Sequence, residues 1–214
     1  SQENEEIAGQ SRAMIVSPGD PGDIQINAPG TVRAGENFTA SLVLTDSYGN
    51  EIKETTYLPG KVRVSLINGT TRQEKVLTPS QFIEGENQLV FRHETAEEVS
   101  VFAEYRHFDV RVKGPGVEVR PASFDHVAVS APGNVQAGST FDLGITLLDR
   151  FENELRNVPE QLSSVQIVSS GNGNPKPKYV SRANMEAPNF TVDVRYFIAE
   201  SASLKVLDGR GNRL

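Results

Sequence analysis

The chain has 214 residues, no cysteine, 37% apolar residues and a net charge of -7. Disulfides, thiol catalysis and thiolate metal sites are therefore excluded, and the acidic balance argues against nucleic acid, whose phosphates need a basic face. No run of 18 or more apolar residues occurs, so no helical membrane insertion is expected. The chain opens SQENEEIAGQ, which reads as a mature or trimmed terminus without a secretory leader. Its acidic residues Glu3, Glu5 and Glu6 suit a solvated tail. Turn residues cluster at Pro18-Gly19-Asp20-Pro21-Gly22-Asp23. Then Phe38, Ala40, Leu42 and Leu44 alternate with Thr39, Ser41, Val43 and Thr45, the period-two pattern of a strand with one buried face. Further strands are expected at Lys61–Leu66, Asn87–Arg92, Val99–Tyr105, Asp109–Val112 and Val117–Arg120. A second alternating set, Phe141, Leu143, Ile145 and Leu147, is followed by expected strands at Ser164–Val168, Phe190–Tyr196 and Ala202–Leu207. The stretch Gly171–Lys178 reads as a loop with two lysines.

The chain contains itself twice. Residues 24–53 align with 127–156 without a gap at an offset of 103, and eleven of the thirty pairs are identical. The offset persists: Arg92 pairs with Arg195, Ala96-Glu97 with Ala199-Glu200, and Ser100 with Ser203. Such self-similarity marks a repeated folding unit. Upstream, Met14–Pro18 falls on Val117–Pro121, so residues 1–18 are expected to be a tail or the closing strand of a preceding repeat. The domains are then 19–121 and 122–214. Because Leu214 is equivalent to Arg111, the second domain is expected to lack its last strand, as in a piece cut from a longer array.

The first shared motif is Ala-Pro-Gly-x-Val-x-Ala-Gly-x-x-Phe. Pro29 and Pro132 lack an amide donor and mark an edge or a crossing between sheets. Gly30, Gly35, Gly133 and Gly138 are expected to take positive φ at turns. Val32 and Val135 are expected to plug the core, and Phe38 and Phe141 to begin the long inner strand. The second motif is Asp-x-aromatic-x-Asn, at Asp46–Asn50 and Asp149–Asn153. Its primary reading is turn capping, in which Asp and Asn bond nearby backbone amides. The alternative makes Asp46, Asn50, Asp149 and Asn153 calcium ligands, although calcium wants six to eight oxygens.

The three histidines, His93, His107 and His126, are scattered, without metal spacing. His126 and Phe124 are placed at the interdomain junction, beside the short linker Arg120–Asp125. There is no nucleophile elbow, phosphate-binding loop or dinucleotide fingerprint. No catalytic residue and no cofactor is expected. The triplets at Asn37, Asn68 and Asn189 match the glycosylation pattern and are read as chance matches.

The pattern Pro-x-x-Val-x-Ala-Gly-x-x-Phe, then alternating apolar residues, then Asp-x-x-Gly-Asn, resembles the bacterial immunoglobulin-like (Big-type) tandem repeats of surface and secreted proteins. Asp46–Asn50 matches the last piece fully, and Asp208–Asn212 looks like the turn before a closing strand. The second repeat departs from it, with Glu152 where the family has glycine, so a tight turn is less expected there. The resemblance implies an all-β fold of two tandem immunoglobulin-like β-sandwich domains. It also implies a periplasmic, cell-surface or secreted bacterial location. The expected role is a non-enzymatic spacer or adhesive segment with a protein or cell-envelope partner. Two alternatives stay open. One is an accessory region of a larger secreted or periplasmic hydrolase. The other is head-to-tail self-association by strand exchange, with Met14–Val16 of one copy filling the sheet edge of another.

Overall fold

The computed structural model describes residues 11–68, 72–172 and 178–213. The acidic residues Glu3, Glu5 and Glu6, the loop centre 173–177, Thr70 of the Asn68 triplet, and Leu214 lie outside them. The described chain is all-β. The first repeat contains β1 (Pro21–Asn27), β2 (Thr31–Arg33), β3 (Asn37–Asp46) and β4 (Val62–Ile67). It continues with β5 (Arg72–Leu77), β6 (Glu86–Arg92), β7 (Glu98–Tyr105) and β8 (Val110–Arg120). The second contains β9 (Phe124–Ser130), β10 (Thr140–Asp149), β11 (Ser164–Ser169), β12 (Lys178–Ser181), β13 (Asn189–Arg195) and β14 (Leu204–Asp208).

In the first repeat, the sheet β1-β3-β6 is joined by a sheet of order β2-β8-β7-β4-β5. The second has the sheets β13-β10-β9 and β12-β11-β14. The 103-residue offset holds in the pairing register. Asn37 pairs with Arg92 as Thr140 does with Arg195. Ile24 pairs with Leu44 as Val127 does with Leu147, and Val62 with Tyr105 as Val165 does with Asp208. A slip of one residue would turn every inward side chain outward, so the shared pattern of burial enforces the shared register.

Each repeat has its own apolar core. Ile24, Leu42, Leu44, Val62, Val64 and Val101 anchor the first; Leu143, Ile145, Leu147, Val165 and Val192 anchor the second. Full burial of such a side chain is worth about 1.5–3 kcal/mol. Two packed sheets around a core are consistent with an immunoglobulin-like sandwich.

Several expectations change. Asp109–Val112 and Val117–Arg120 are parts of one strand, β8, which runs through Gly114-Pro115-Gly116. The register jumps there, with Ser100 opposite Gly116 but Phe102 opposite Lys113. The extra residue is a bulge, and a bulge tolerates proline because one ladder bond is already missing. Pro29 and Gly30 lie where the chain crosses from β1 in one sheet to β2 in the other. Neither Gly30 nor Gly133 takes positive φ; only Gly35 (78°) and Gly138 (83°) of that set do. The chain bends at Gly30 without a left-handed residue.

Val32 packs against the first core, but Val135 is 44% exposed. Val32 is held in β2 by parallel pairing with β8, whereas residues 134–136 form no strand. Phe38 is buried, and Phe141 is half-buried against the second core. Residues 14–18 form no strand, and Met14, Ile15 and Val16 are exposed.

Candidate functional site

The most elaborate polar arrangement lies where the two repeats meet. Only Pro121, Ala122 and Ser123 separate β8 from β9. A linker this short holds the following turn, Asp149–Asn153, against the end of the first repeat. Asp149 ends β10 and is fully buried. Its Oδ1 accepts the backbone N–H groups of Phe151 (2.8 Å) and Asn153 (3.0 Å). Its Oδ2 accepts the linker amide of Ala122 at 2.7 Å and the Asn153 side-chain amide at 3.0 Å. Burial pushes the Asp149 carboxyl up, but the bonds from Asn153, Ala122 and Phe151 outweigh it and hold the group below the usual carboxylate range.

Asn153 carries the bonding across. Its Oδ1 accepts the N–H of Ala96 at 2.8 Å, and its Nδ2 donates to the carbonyl of Glu94 at 2.7 Å. One amide side chain thus satisfies a backbone donor and a backbone acceptor of the first repeat. Between these polar contacts Phe151 packs on the first core. The Arg150 guanidinium lies 4.7 Å from its ring centroid and that of Arg92 6.0 Å. The ring sits on Gly35, where an added Cβ would fall 2.3 Å from Phe151 Cζ. Arg156 and Arg120 close on Glu118 at 2.5 and 2.8 Å, and their bonds lower its carboxyl pKa. Beside the linker is an open cleft of about 770 Å³, lined among others by Arg33, Glu36, Phe124 and Arg156.

Among the described residues the turn occurs three times. At Asp46–Asn50, Oδ1 of Asp46 takes the N–H groups of Tyr48 and Asn50, both at 2.9 Å, and Oδ2 takes the Asn50 amide and the N–H of Gly19. These bonds, that of the Asn50 side chain first, lower the Asp46 carboxyl pKa to about 2. At Asp208–Asn212 the same bonds come from Arg210 and Asn212. The fourth residue takes positive φ each time: Gly49 (85°), Glu152 (66°) and Gly211 (88°). The glycine missing from the second repeat does not abolish its turn, because the Asp149 carboxylate fixes the surrounding backbone. The calcium alternative asks these same oxygens to face outward. The Asp46 and Asp149 oxygens instead accept N–H groups of their own turns and of Gly19 and Ala122, and Asn153 Oδ1 accepts that of Ala96; among the described residues no group of three or more His, Cys, Asp or Glu is placed to hold a metal ion.

The structure places the two expected junction residues as follows. Phe124 packs against the second core and lines the cleft. His126 bonds Asp125 through Nδ1 (3.1 Å) and reaches Glu152 through Nε2 (3.3 Å). Phe124 shares that cleft with Arg33 and Glu36 of the first repeat, while the hydrogen bonds and ring contact across the joint come from Asn153 and Phe151. Reading the sequence missed this pair as junction residues. The available signal was an aromatic residue kept at a turn position in both copies, Tyr48 and Phe151, where solvent exposure alone would not ask for one. Among the described residues no helix is long and apolar enough to cross a membrane.

No family model matches the chain, and no curated protein matches it. Among solved structures it is similar to the Escherichia coli adhesin FdeC, at 15% identity and a TM-score of 0.40 over 89% of this chain and 60% of that one. It is similar to the Yersinia pseudotuberculosis adhesin InvE, at 16% identity and a TM-score of 0.38 over 88% of this chain and 56% of that one. It is similar also to Salmonella alpha-2-macroglobulin, at 12% identity and a TM-score of 0.40 over 86% of this chain and 15% of that one. The chain therefore spans less than two thirds of each of these.

Proposed function

We propose that residues 19–121 and 122–214 are two tandem immunoglobulin-like β-sandwich domains. They act as a non-enzymatic spacer or adhesive segment of a bacterial envelope or secreted protein. The location follows from the motif resemblance to Big-type repeats. The mechanical role follows from one observation, the junction in which Asn153 and Phe151 of the second repeat grip the first while Asp149 grips the linker. A segment meant only to tether would use a long Gly/Ser linker and leave its neighbours unbonded. Here two cores are locked in one orientation, so force or distance is transmitted through the pair. Residual dipolar couplings measured on both repeats test this. One alignment tensor should fit both; two independent tensors would overturn the spacer reading.

A further inference from the structure

The internal junction has two halves, and each half occurs a second time, facing solvent. The half offered by the second repeat is the turn Asp149–Asn153. Its counterpart at the start of the first repeat, Asp46–Asn50, has the same backbone. Asp46 N–H bonds Asn50 O at 3.0 Å and Gly49 N–H bonds Asp46 O at 3.1 Å, as Asp149 and Glu152 do at 3.0 and 3.1 Å. Tyr48 stands in the place of Phe151 and is 88% exposed. Asn50, exposed, stands in the place of Asn153.

The half offered by the first repeat is a platform of Gly35 and the loop 94–97. Its counterpart in the second repeat is Gly138 and the loop 197–200. Gly35 N–H bonds His93 O and Gly138 N–H bonds Tyr196 O, each at 2.7 Å, so the two glycines are held alike. Phe151 lies over Gly35, while among the described residues nothing lies within 4 Å of a Cβ built on Gly138. Around Gly138 the positions of Glu94 and Thr95 are taken by Phe197 and Ile198, which are 63% and 46% exposed. Arg195 takes the position of Arg92, which faces the Phe151 ring. An uncovered aromatic at one pole and an uncovered apolar platform at the other are thus the two sides of a contact the molecule already makes internally.

We infer that a second copy of this chain docks head to tail, with its Tyr48 turn seated on the Gly138, Phe197 and Ile198 platform. The contact is heterologous: each copy keeps one free pole, so the association propagates as a linear array. It lacks the covalent linker, which supplies an effective concentration on the order of millimolar, so separate copies meet the same contact at comparable frequency when their own concentration reaches that order. The inference rests on the two-repeat reading above.

The chain has no native cysteine, so one introduced thiol gives one spin label. A full-length Ser47→Cys copy carrying the label is mixed with isotope-labelled unmodified chain at up to about 1 mM. Amide signals of Gly138, Ser139, Phe197 and Ile198 should broaden as concentration rises. The broadening should be lost when the labelled copy also carries Tyr48→Ala, a change at an exposed side chain. No broadening at those amides, equal broadening with Tyr48→Ala, or broadening along β14 instead would each overturn the proposal. A label at Arg150→Cys reports the internal junction through Gly35 and Ala96, so failure of the two-repeat reading gives a different spectrum from failure of docking.

Discussion

Gly35 and Gly138 occupy the same place in the two repeats and share a left-handed backbone, yet only Gly35 has a ring lying on it. Alanine at either position carries the strain of a side chain at positive φ, about 1–2 kcal/mol. At Gly35 it also collides with Phe151 and forces the junction apart, adding about 1–3 kcal/mol. Urea unfolding should therefore show Gly35→Ala clearly more destabilised than Gly138→Ala; equal losses would mean that Phe151 does not sit where described. Asp149 is the second residue whose role is local and specific. Asp149→Ala strips acceptors from the N–H groups of Ala122, Phe151 and Asn153 in a buried place. A loss of about 3 kcal/mol is expected, since each unsatisfied buried donor costs about 1–3 kcal/mol. The carboxyls of Asp46 and Asp149 are both depressed in the folded chain. Their stabilisation is thus full above the unfolded carboxylate value near 3.9 and is lost as pH falls through the folded values. Thermal unfolding should be flat in pH from 8 to 5 for these two groups and drop toward pH 2, with Asp149→Ala flattening part of the drop.

At the scale of elements, equivalent positions give a strand in one repeat and none in the other. Thr31-Val32-Arg33 forms β2 because β8 lies alongside, while Asn134-Val135-Gln136 has no such neighbour among the described residues. Val32→Ala should cost about 1 kcal/mol through lost core contact. Val135→Ala should stay within about 0.5 kcal/mol, as for surface changes generally. A comparable loss at both would place a strand over Val135. The alternation in β3 and β10 and the late strands were legible in the sequence, because a half-buried strand writes its period into its side chains. The bulge in β8 was not, since Gly114-Pro115-Gly116 reads as a break until β7 is seen running past it. β1, β2, β5, β9 and β12 were also missed: β1 starts inside the Pro18–Asp23 turn cluster and β9 inside the expected linker, β5 shows no buried alternation, and β2 and β12 are only three and four residues long.

For the molecule as a whole, the orientation of the two cores rests on a few contacts. Phe151→Ala removes the ring that joins them and Asn153→Ala removes both backbone bonds across the joint. Each core should keep its own amide spectrum while the single alignment tensor splits into two. The exposed Arg156–Glu118 pair contributes little by comparison, so Arg156→Ala should leave the orientation unchanged. Phe124→Ser acts differently: it removes an apolar contact of the second core and should lower the stability of that repeat. A coupled loss of both repeats in Phe151→Ala would show that the joint is part of the folding unit rather than a contact between two.

The amino-acid sequence by itself determined the repeat, its 103-residue period, the strand faces and the capped turns. These depend on neighbours within a few residues or on copies of the same pattern. Only the tertiary structure decided which copy of a shared residue is used. Phe151 is covered and Tyr48 is bare, Gly35 is occupied and Gly138 is open, and Val32 is packed and Val135 is not. The reason is physical: a repeat unit specifies its own surface, but what lies against that surface comes from a chain segment about a hundred residues away.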